Sequence, residues 1–226
     1  MKGKAVQAKI ESSFKTQSQK DKKVKNAYLR VYSEKLGIDL KTAAGTTDQT
    51  AADIRQPNHM ASVGKLFTAT IVSILYERNQ LDFDDPIAKY LDAELMNGLH
   101  VFKGKEYSDQ ITIRHLLMQT SGLNDVFDRL YEKMVEEPGF RITPREAVIW
   151  GKENLKPVAV PGKKHFYADP NFFLLGLIVE NITGNPFHET MHELIFKPLG
   201  MQHARMYGYS EPERETGYPP AKLYIK

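Results

Sequence analysis

Two short patterns in this 226-residue chain bring together residue types that do chemistry. Ser62 and Lys65 stand three residues apart, where a polar loop gives way to an apolar stretch. A serine hydroxyl is a poor nucleophile until a neighbouring base takes its proton. A lysine serves if burial or adjacent cations lower its pKa. At helical spacing the two side chains share a face, and the free N–H groups of a helix start favour a developing oxyanion. The chemistry such a pair could do is acyl transfer through a serine ester. The same spacing recurs at Ser12 and Lys15 in a lysine-rich segment, so the pair alone is not diagnostic. The second pattern is His188-Glu189-Thr190-Met191-His192. Two histidines one helical turn apart can grip Zn²⁺, with the glutamate as base of a metallopeptidase. Phe187, Met191, Leu194 and Ile195 already give that helix a buried face, which turns the histidines to a flank. A third ligand would have to come from His203, Glu211 or Glu213. A zinc metallopeptidase is therefore the alternative rather than the leading reading.

The elements that must position these residues follow from periodicity and capping. Ser62–Asn79 reads as a strong helix with Phe67, Ile71, Ile74 and Leu75 on one face. The run Leu81–Pro86 breaks it, and Pro86 opens a short helix over Ile87–Leu91. Thr112 precedes another short helix that stops near Ser121-Gly122. Thr143 is an N-cap with Pro144 at the first helical position. Phe172–Ile182 is apolar on most sides and predicts a buried helix; Pro186–Phe196 predicts another, ended by Pro198 and Gly200. Ala27–Tyr32 and Ile38–Ala44, joined by the polar turn Ser33–Gly37, predict a β-hairpin. A two-stranded ribbon alone is marginal and needs more strands or a helical cover. Val6, Ile10 and Phe14 form one apolar edge of an opening helix, read as a docking edge with a solvated lysine face. His115 reads as a hydrogen-bonded core histidine, and Asn124-Asp125 could line a cleft.

Composition narrows the classes. There is no cysteine, which excludes disulfides, thiolate catalysis and cysteine-ligated zinc. Residues 1–25 carry eight lysines against Glu11 and Asp21, a local +6, so the +3 of the whole chain leaves a mildly acidic −3 for the rest. A basic face on the folded domain is what nucleic-acid binding needs, and no such partner is expected. No apolar run approaches the roughly 18 residues of a membrane-spanning helix. The N-terminus has no apolar core of signal-peptide length. The chain is thus either cytoplasmic or an exported protein without its leader.

Several segments also carry a resemblance. His59-Met60-Ala61-Ser62-Val63-Gly64-Lys65-Leu66-Phe67-Thr68-Ala69 resembles the active-site stretch of the serine β-lactamase/penicillin-binding-protein-like family, which includes class C β-lactamases, DD-carboxypeptidases, D-aminopeptidases and related esterases. In family order follow Leu81-Asp82-Phe83-Asp84-Asp85-Pro86-Ile87-Ala88-Lys89-Tyr90-Leu91, Ile111-Thr112-Ile113-Arg114-His115-Leu116-Leu117-Met118-Gln119-Thr120-Ser121-Gly122-Leu123 and Phe196-Lys197-Pro198-Leu199-Gly200-Met201. The resemblance covers roughly Ala27 to Met201. It implies an acyl-enzyme hydrolase acting on a β-lactam, a D-amino-acid peptide or a small ester, with Ser62 as nucleophile and Lys65 as its activating partner. The family's second motif, Tyr-x-Asn, falls on Tyr167-Ala168-Asp169, with Tyr167 as proton shuttle. Asp169 departs from the pattern: an ionised carboxylate only accepts hydrogen bonds, and it would raise the pKa of Lys65 and repel a tyrosinate. The third motif, Lys-Thr-Gly or His-x-Gly, is absent from the sequence.

The fold implied is α+β: an antiparallel sheet flanked by helices, plus an all-helical lobe. We expect a basic helix over residues 1–24 and a β-lactamase-like domain over 25–226, its C-terminal strands missing. An incomplete sheet leaves an open edge that invites pairing, so completion by a missing C-terminal segment or by another chain is expected. The substrate is a small molecule or peptide, and no metal or organic cofactor is implied.

Overall fold

The computed structural model describes residues 2–224. Its contacts gather into two units: Met1–Ala61 with Gln202–Ala204 and Glu211–Lys226, and Ser62–Met201 with Arg205–Ser210.

The first unit holds helix α1 (Lys2–Lys20) and strands β1 (Asn26–Ser33), β2 (Ile38–Thr47) and β3 (Thr50–Ala51). The strands form one antiparallel sheet in the order β1-β2-β3. The register runs from Asn26 opposite Gly45 to Ser33 opposite Ile38, so the expected hairpin is present. Along β2, buried Ile38, Leu40 and Thr42 alternate with exposed Asp39 and Lys41, as a half-covered strand requires. α1 packs on β2. Its covered edge differs from the expected one. Ile10 and Phe14 are half-buried, but Val6 is 42% exposed, and the edge runs through Gly3, Gln7, Ile10, Phe14 and Ser18. The cause lies at Gly3, where a Cβ would stand 2.0 Å from the Leu36 carbonyl oxygen; that close approach fixes the helix rotation. The late proline-rich segment returns to the same sheet unit. Ala221 N donates to Pro57 O at 2.8 Å, and the Arg55 guanidinium lies 4.2 Å over the Tyr218 ring.

The second unit is helical. Its core joins Ile71, Val72 and Leu75 of α2 (Gly64–Glu77), Ile113 and Leu116 of α4 (Ile113–Leu117, after the short α3, Ala93–Met96), and Leu174, Leu175, Ile178 and Val179 of the later helix Pro170–Thr183. Helices α5 (Phe127–Glu136), α6 (Pro144–Asn154), α7 (Pro170–Thr183) and α8 (Phe187–Met191) complete it, and α7 packs on α2, α4, α6 and α8. The apolar run over 172–182 is thus the buried central helix. Fully burying each such side chain contributes about 1.5–3 kcal/mol.

The predicted caps are present. Thr143 closes a capping box with Glu146: Thr143 N donates to Glu146 Oε2 at 2.8 Å, and Glu146 N to Thr143 Oγ1 at 3.3 Å. Thr112 and His115 do the same on α4, which is the hydrogen-bonded role expected of His115. The Leu81–Leu91 segment leans on α4's entry, with Ile113 N donating to Asp85 O at 3.2 Å and Arg114 N to Phe83 O at 2.7 Å.

Other details differ from expectation. Ser62 lies in a 3-10 turn, Ala61–Val63, and the α-helix starts at Gly64. The buried face of α2 is Thr68, Ile71, Val72 and Leu75, with Ile74 only half-buried, because the helix turns this side to its neighbours. A small ribbon of β4 (Val101–Phe102) and β5 (Lys105–Glu106) and the helix α5 were not among the elements expected from the sequence. The ribbon is two residues a side, and its Lys103-Gly104 turn has both φ values positive, 51° and 80°. In α5 only Leu130 is buried, although Phe127, Leu130, Tyr131, Met134 and Val135 recur at helical spacing along one face.

Candidate active site

Ser62, Lys65, Tyr167 and Asp169 all belong to the second unit, and the fold brings them together. Ser62 is exposed in the turn that feeds α2, directly after Ala61, which sits in the left-handed region at φ 45°. A non-glycine residue held there is strained, a condition that clusters at functional sites. Lys65 lies on the first turn of α2, its Nζ 3.4 Å from Ser62 Oγ. Tyr167 donates its phenol hydrogen to the same Oγ at 2.7 Å. Asp169 Oδ1 accepts from Lys65 Nζ at 2.6 Å. The Lys65 ammonium also stands 4.9 Å from the Tyr167 ring centre and 5.8 Å from that of Phe172.

Two elements put Tyr167 and Asp169 opposite α2. Asp169 heads α7, with Pro170 at the first helical position. Upstream, the segment 119–122 acts as a short backbone ledge. Val158 N donates to Gly122 O, Gly162 N to Thr120 O and Phe166 N to Gln119 O, at 2.8, 2.8 and 2.9 Å. Gly122 is required there: φ is 81°, and a Cβ would stand 2.0 Å from Ala159 O. Ser121 is fully buried, and its Oγ accepts from Leu123 N. The Thr-Ser-Gly stretch therefore supports the Tyr167 loop rather than touching the nucleophile.

Two contributors to the site, Gln119 and Phe172, were given no part in it from sequence, and a third, Asp125, was read only as a residue that could line a cleft. Asp125 Oδ1 accepts from the Asp169 backbone N at 2.9 Å, which gives the vaguely placed Asn124-Asp125 pair a definite role. Gln119 grips the same loop from below. Phe172 forms part of the lysine's aromatic surround. None lies in a motif that binds or reacts, so no residue-type signal marked them.

The electrostatics centre on Lys65. Its side chain is 20% exposed, and that of Asp169 19%. Burial alone pushes the ammonium's pKa down and is the largest single influence. The hydrogen bonds with Asp169 and Tyr167, with their charges, together outweigh it, and the net direction is up. Lys65 is therefore a cation at neutral pH. Elsewhere, burial pushes His100 and His115 below the ordinary histidine value; His100 Nε2 lies 2.9 Å from Ala159 O.

The His188–His192 pair does not assemble a zinc site. The α-helix gives way at His192 to a π-helical turn, His192–Phe196. Both histidines are half-buried, His188 beside the Tyr209 ring and His192 Nδ1 at 3.5 Å from Glu193 Oε1. Among the described residues no group of three or more His, Asp or Glu side chains gathers to hold a metal ion. No described helix is long and apolar enough to cross a membrane.

The sequence profile of the Beta-lactamase family matches residues 25–222. The chain belongs to the Beta-lactamase family. Relatives include Protein flp of Staphylococcus aureus (strain MW2), 29% identical over 161 residues, covering 70% of this chain and 30% of the relative. A penicillin-binding protein of Bacillus subtilis (strain 168) is 27% identical over 168 residues, covering 73% and 34%. The chain thus spans about a third of the length of these curated relatives. Among solved structures, a D-stereospecific amidohydrolase from Streptomyces sp. is similar at a TM-score of 0.60 and 27% identity, covering 76% of this chain and 52% of that one. The octameric penicillin-binding protein homologue from Pyrococcus abyssi matches at a TM-score of 0.70 and 23% identity, covering 86% and 43%, and shares the fold. The α+β architecture of this family, an antiparallel sheet with helices and a helical lobe, is thereby the architecture of this chain. Its relatives are serine hydrolases, penicillin-binding proteins and amidohydrolases.

Proposed function

We propose that the chain carries the acyl-transfer centre of a serine hydrolase, with Ser62 as nucleophile, Tyr167 as proton carrier and Lys65 as fixed cation. The observation that carries this reading is the double hydrogen bond to Ser62 Oγ, from the Tyr167 phenol and the Lys65 ammonium. When Tyr167 is ionised, its oxygen can take the Ser62 proton as Oγ attacks the carbonyl carbon. The protonated tyrosine then gives that proton to the leaving nitrogen or oxygen. An ester on Ser62 remains, and water hydrolyses it by the same proton route in reverse. Lys65, charged throughout, stabilises the tyrosinate and the charge developing at Oγ.

Family membership supports a β-lactam, a D-amino-acid peptide or a small ester as substrate. Within the proposal, residues 1–24 are an attached basic helix and 25–226 the catalytic family's domain. The site's far wall and the rest of the sheet are supplied by a further segment or by another chain. No cofactor enters any step.

A fluorophosphonate or fluorescent penicillin tests the reading by mass. One adduct per chain, lost in Ser62→Ala, is the expected result. An adduct that persists in Ser62→Ala would overturn it. A second reading, a binding module of the same family with impaired chemistry, is favoured by the 2.6 Å Lys65–Asp169 contact. It expects no adduct in the native chain and one in Asp169→Asn.

A further inference from the structure

Gln119 is the residue on which the Tyr167-Ala168-Asp169 turn is built. Its backbone is left-handed at φ 57°, an uncommon conformation for a non-glycine residue. It is 6% exposed. Its backbone oxygen accepts from Phe166 N at 2.9 Å. Its side-chain Oε1 accepts from Ala168 N at 3.0 Å and from Asn171 Nδ2 at 2.5 Å. These contacts bracket both working residues: 166 and 168 flank Tyr167, and 168 and 171 flank Asp169. Asn171, fully buried, closes the bracket by donating also to Ala168 O at 3.1 Å.

Gln119 Nε2 and Asn171 Oδ1 are buried with no hydrogen-bond partner among the described residues. A buried polar group left unmade costs about 1–3 kcal/mol. A methionine would remove the unmet amide group, but it would leave the buried Ala168 N without its acceptor. What glutamine adds is a fixed point for one backbone N–H, the one between Tyr167 and Asp169.

We infer that Gln119 is a positioning residue, which holds the Tyr167-Ala168-Asp169 turn so that the phenol meets Ser62 and the carboxylate meets Lys65. The inference rests on the site as proposed above, but half of its test needs no turnover. Lysine acylation by a trace amine-reactive ester near pH 8, read residue by residue by mass, reports how much neutral amine each lysine presents. Lys65, held charged by Asp169, reacts slowly in the native chain. In Gln119→Met the turn shifts, the pair loosens, and Lys65 labelling rises at least threefold. Lys152, whose Nζ donates to Asn97 O at 3.0 Å far along the chain, keeps its native rate. In Gln119→Glu, which retains the accepting oxygen, Lys65 stays within twofold of native. In an Asp169→Asn background, Gln119→Met produces no further rise, since the contact it acts through is already gone.

Ser62 adduct formation, where the native chain shows it, falls at least tenfold in Gln119→Met and recovers in Gln119→Glu. Unchanged Lys65 labelling in Gln119→Met overturns the inference. So does a parallel rise at Lys152, which would mark general loosening, or an equal rise in the Asp169→Asn background. If Gln119→Met does not fold, Asn171→Ala removes one of the two donors to the same oxygen and is read against the same controls. A native chain that labels as expected but forms no Ser62 adduct would sink the hydrolase reading and leave the positioning role standing.

Discussion

Two helices of the second unit begin with the same kind of sequence and use it differently. α6 starts at Thr143-Pro144-Arg145-Glu146, and α7 at Asp169-Pro170-Asn171-Phe172. Each offers a capping residue followed by proline at the first helical position, where the missing N–H is no loss. Thr143 takes the extended conformation, φ −78° and ψ 161°, and its side chain closes the box with Glu146. Asp169 is already helical, φ −59° and ψ −35°, and its side chain makes no cap bond. That carboxylate goes instead to Lys65, and Asp125 takes the Asp169 backbone N–H. A capping residue released from its local duty marks the place where the fold does something besides hold itself together.

Substituting the two caps should separate those duties. Asp169→Asn carries the largest expected effect. The amide leaves α7 intact, since no cap bond is lost, and it removes the charge that shares the Lys65 ammonium. With Lys65 then no longer shared with a carboxylate, Ser62 acylation by fluorophosphonate should rise about tenfold or more near pH 7, a gain smaller than the full contribution of a positioned proton carrier. A fall in rate would mean that Asp169 assists rather than restrains. Thr143→Ala should do the opposite. Losing an N-cap costs about 1 kcal/mol, read as a lower urea midpoint at unchanged slope, with the acylation rate within twofold of native. A change in rate comparable to that of Asp169→Asn would erase the distinction between the two caps.

The same contrast explains what was legible in the sequence. Thr143, Thr112 and the apolar run over 172–182 act through neighbours three or four residues away, and local rules find them. Ser62, Lys65 and Tyr167 were marked by residue type and by ordered resemblance, and the structure adds the distances. Asp169 was marked as a departure whose carboxylate would raise the Lys65 pKa, and the 2.6 Å contact gives that expectation a geometry. Gln119 stayed hidden, and Asp125 was marked only as a residue that could line a cleft, because they act across 44 to 52 residues on backbone N–H and amide groups, which every sequence supplies. The shifted edge of α1 was hidden for a related reason: a bare glycine at position 3 sets its rotation. The π-helical turn His192–Phe196 had no signal of its own; it follows the zinc pattern, whose spacing stays α-helical, with His192 N donating to His188 O.

The smallest expected effect is on pH, and it divides the two helix starts by sign. Glu146 accepts from the Thr143 backbone N–H and then from its hydroxyl, which hold its carboxyl below the usual value of 4.5. A folded carboxyl that is depressed contributes stability above the unfolded pKa and loses it as pH falls through the folded one. Lys65 lies the other way. Burial pushes it down, but Asp169 and Tyr167 together carry it above 10.5. Its contribution is complete below 10.5 and is lost as pH rises through the folded value. Thermal unfolding followed across both limbs should therefore show Glu146→Gln flattening the acid side and leaving the alkaline side unchanged, and Asp169→Asn flattening the alkaline side. An alkaline side left unchanged by Asp169→Asn, or flattened as much by Glu146→Gln, would mean that the division between a structural and a functional helix start does not hold.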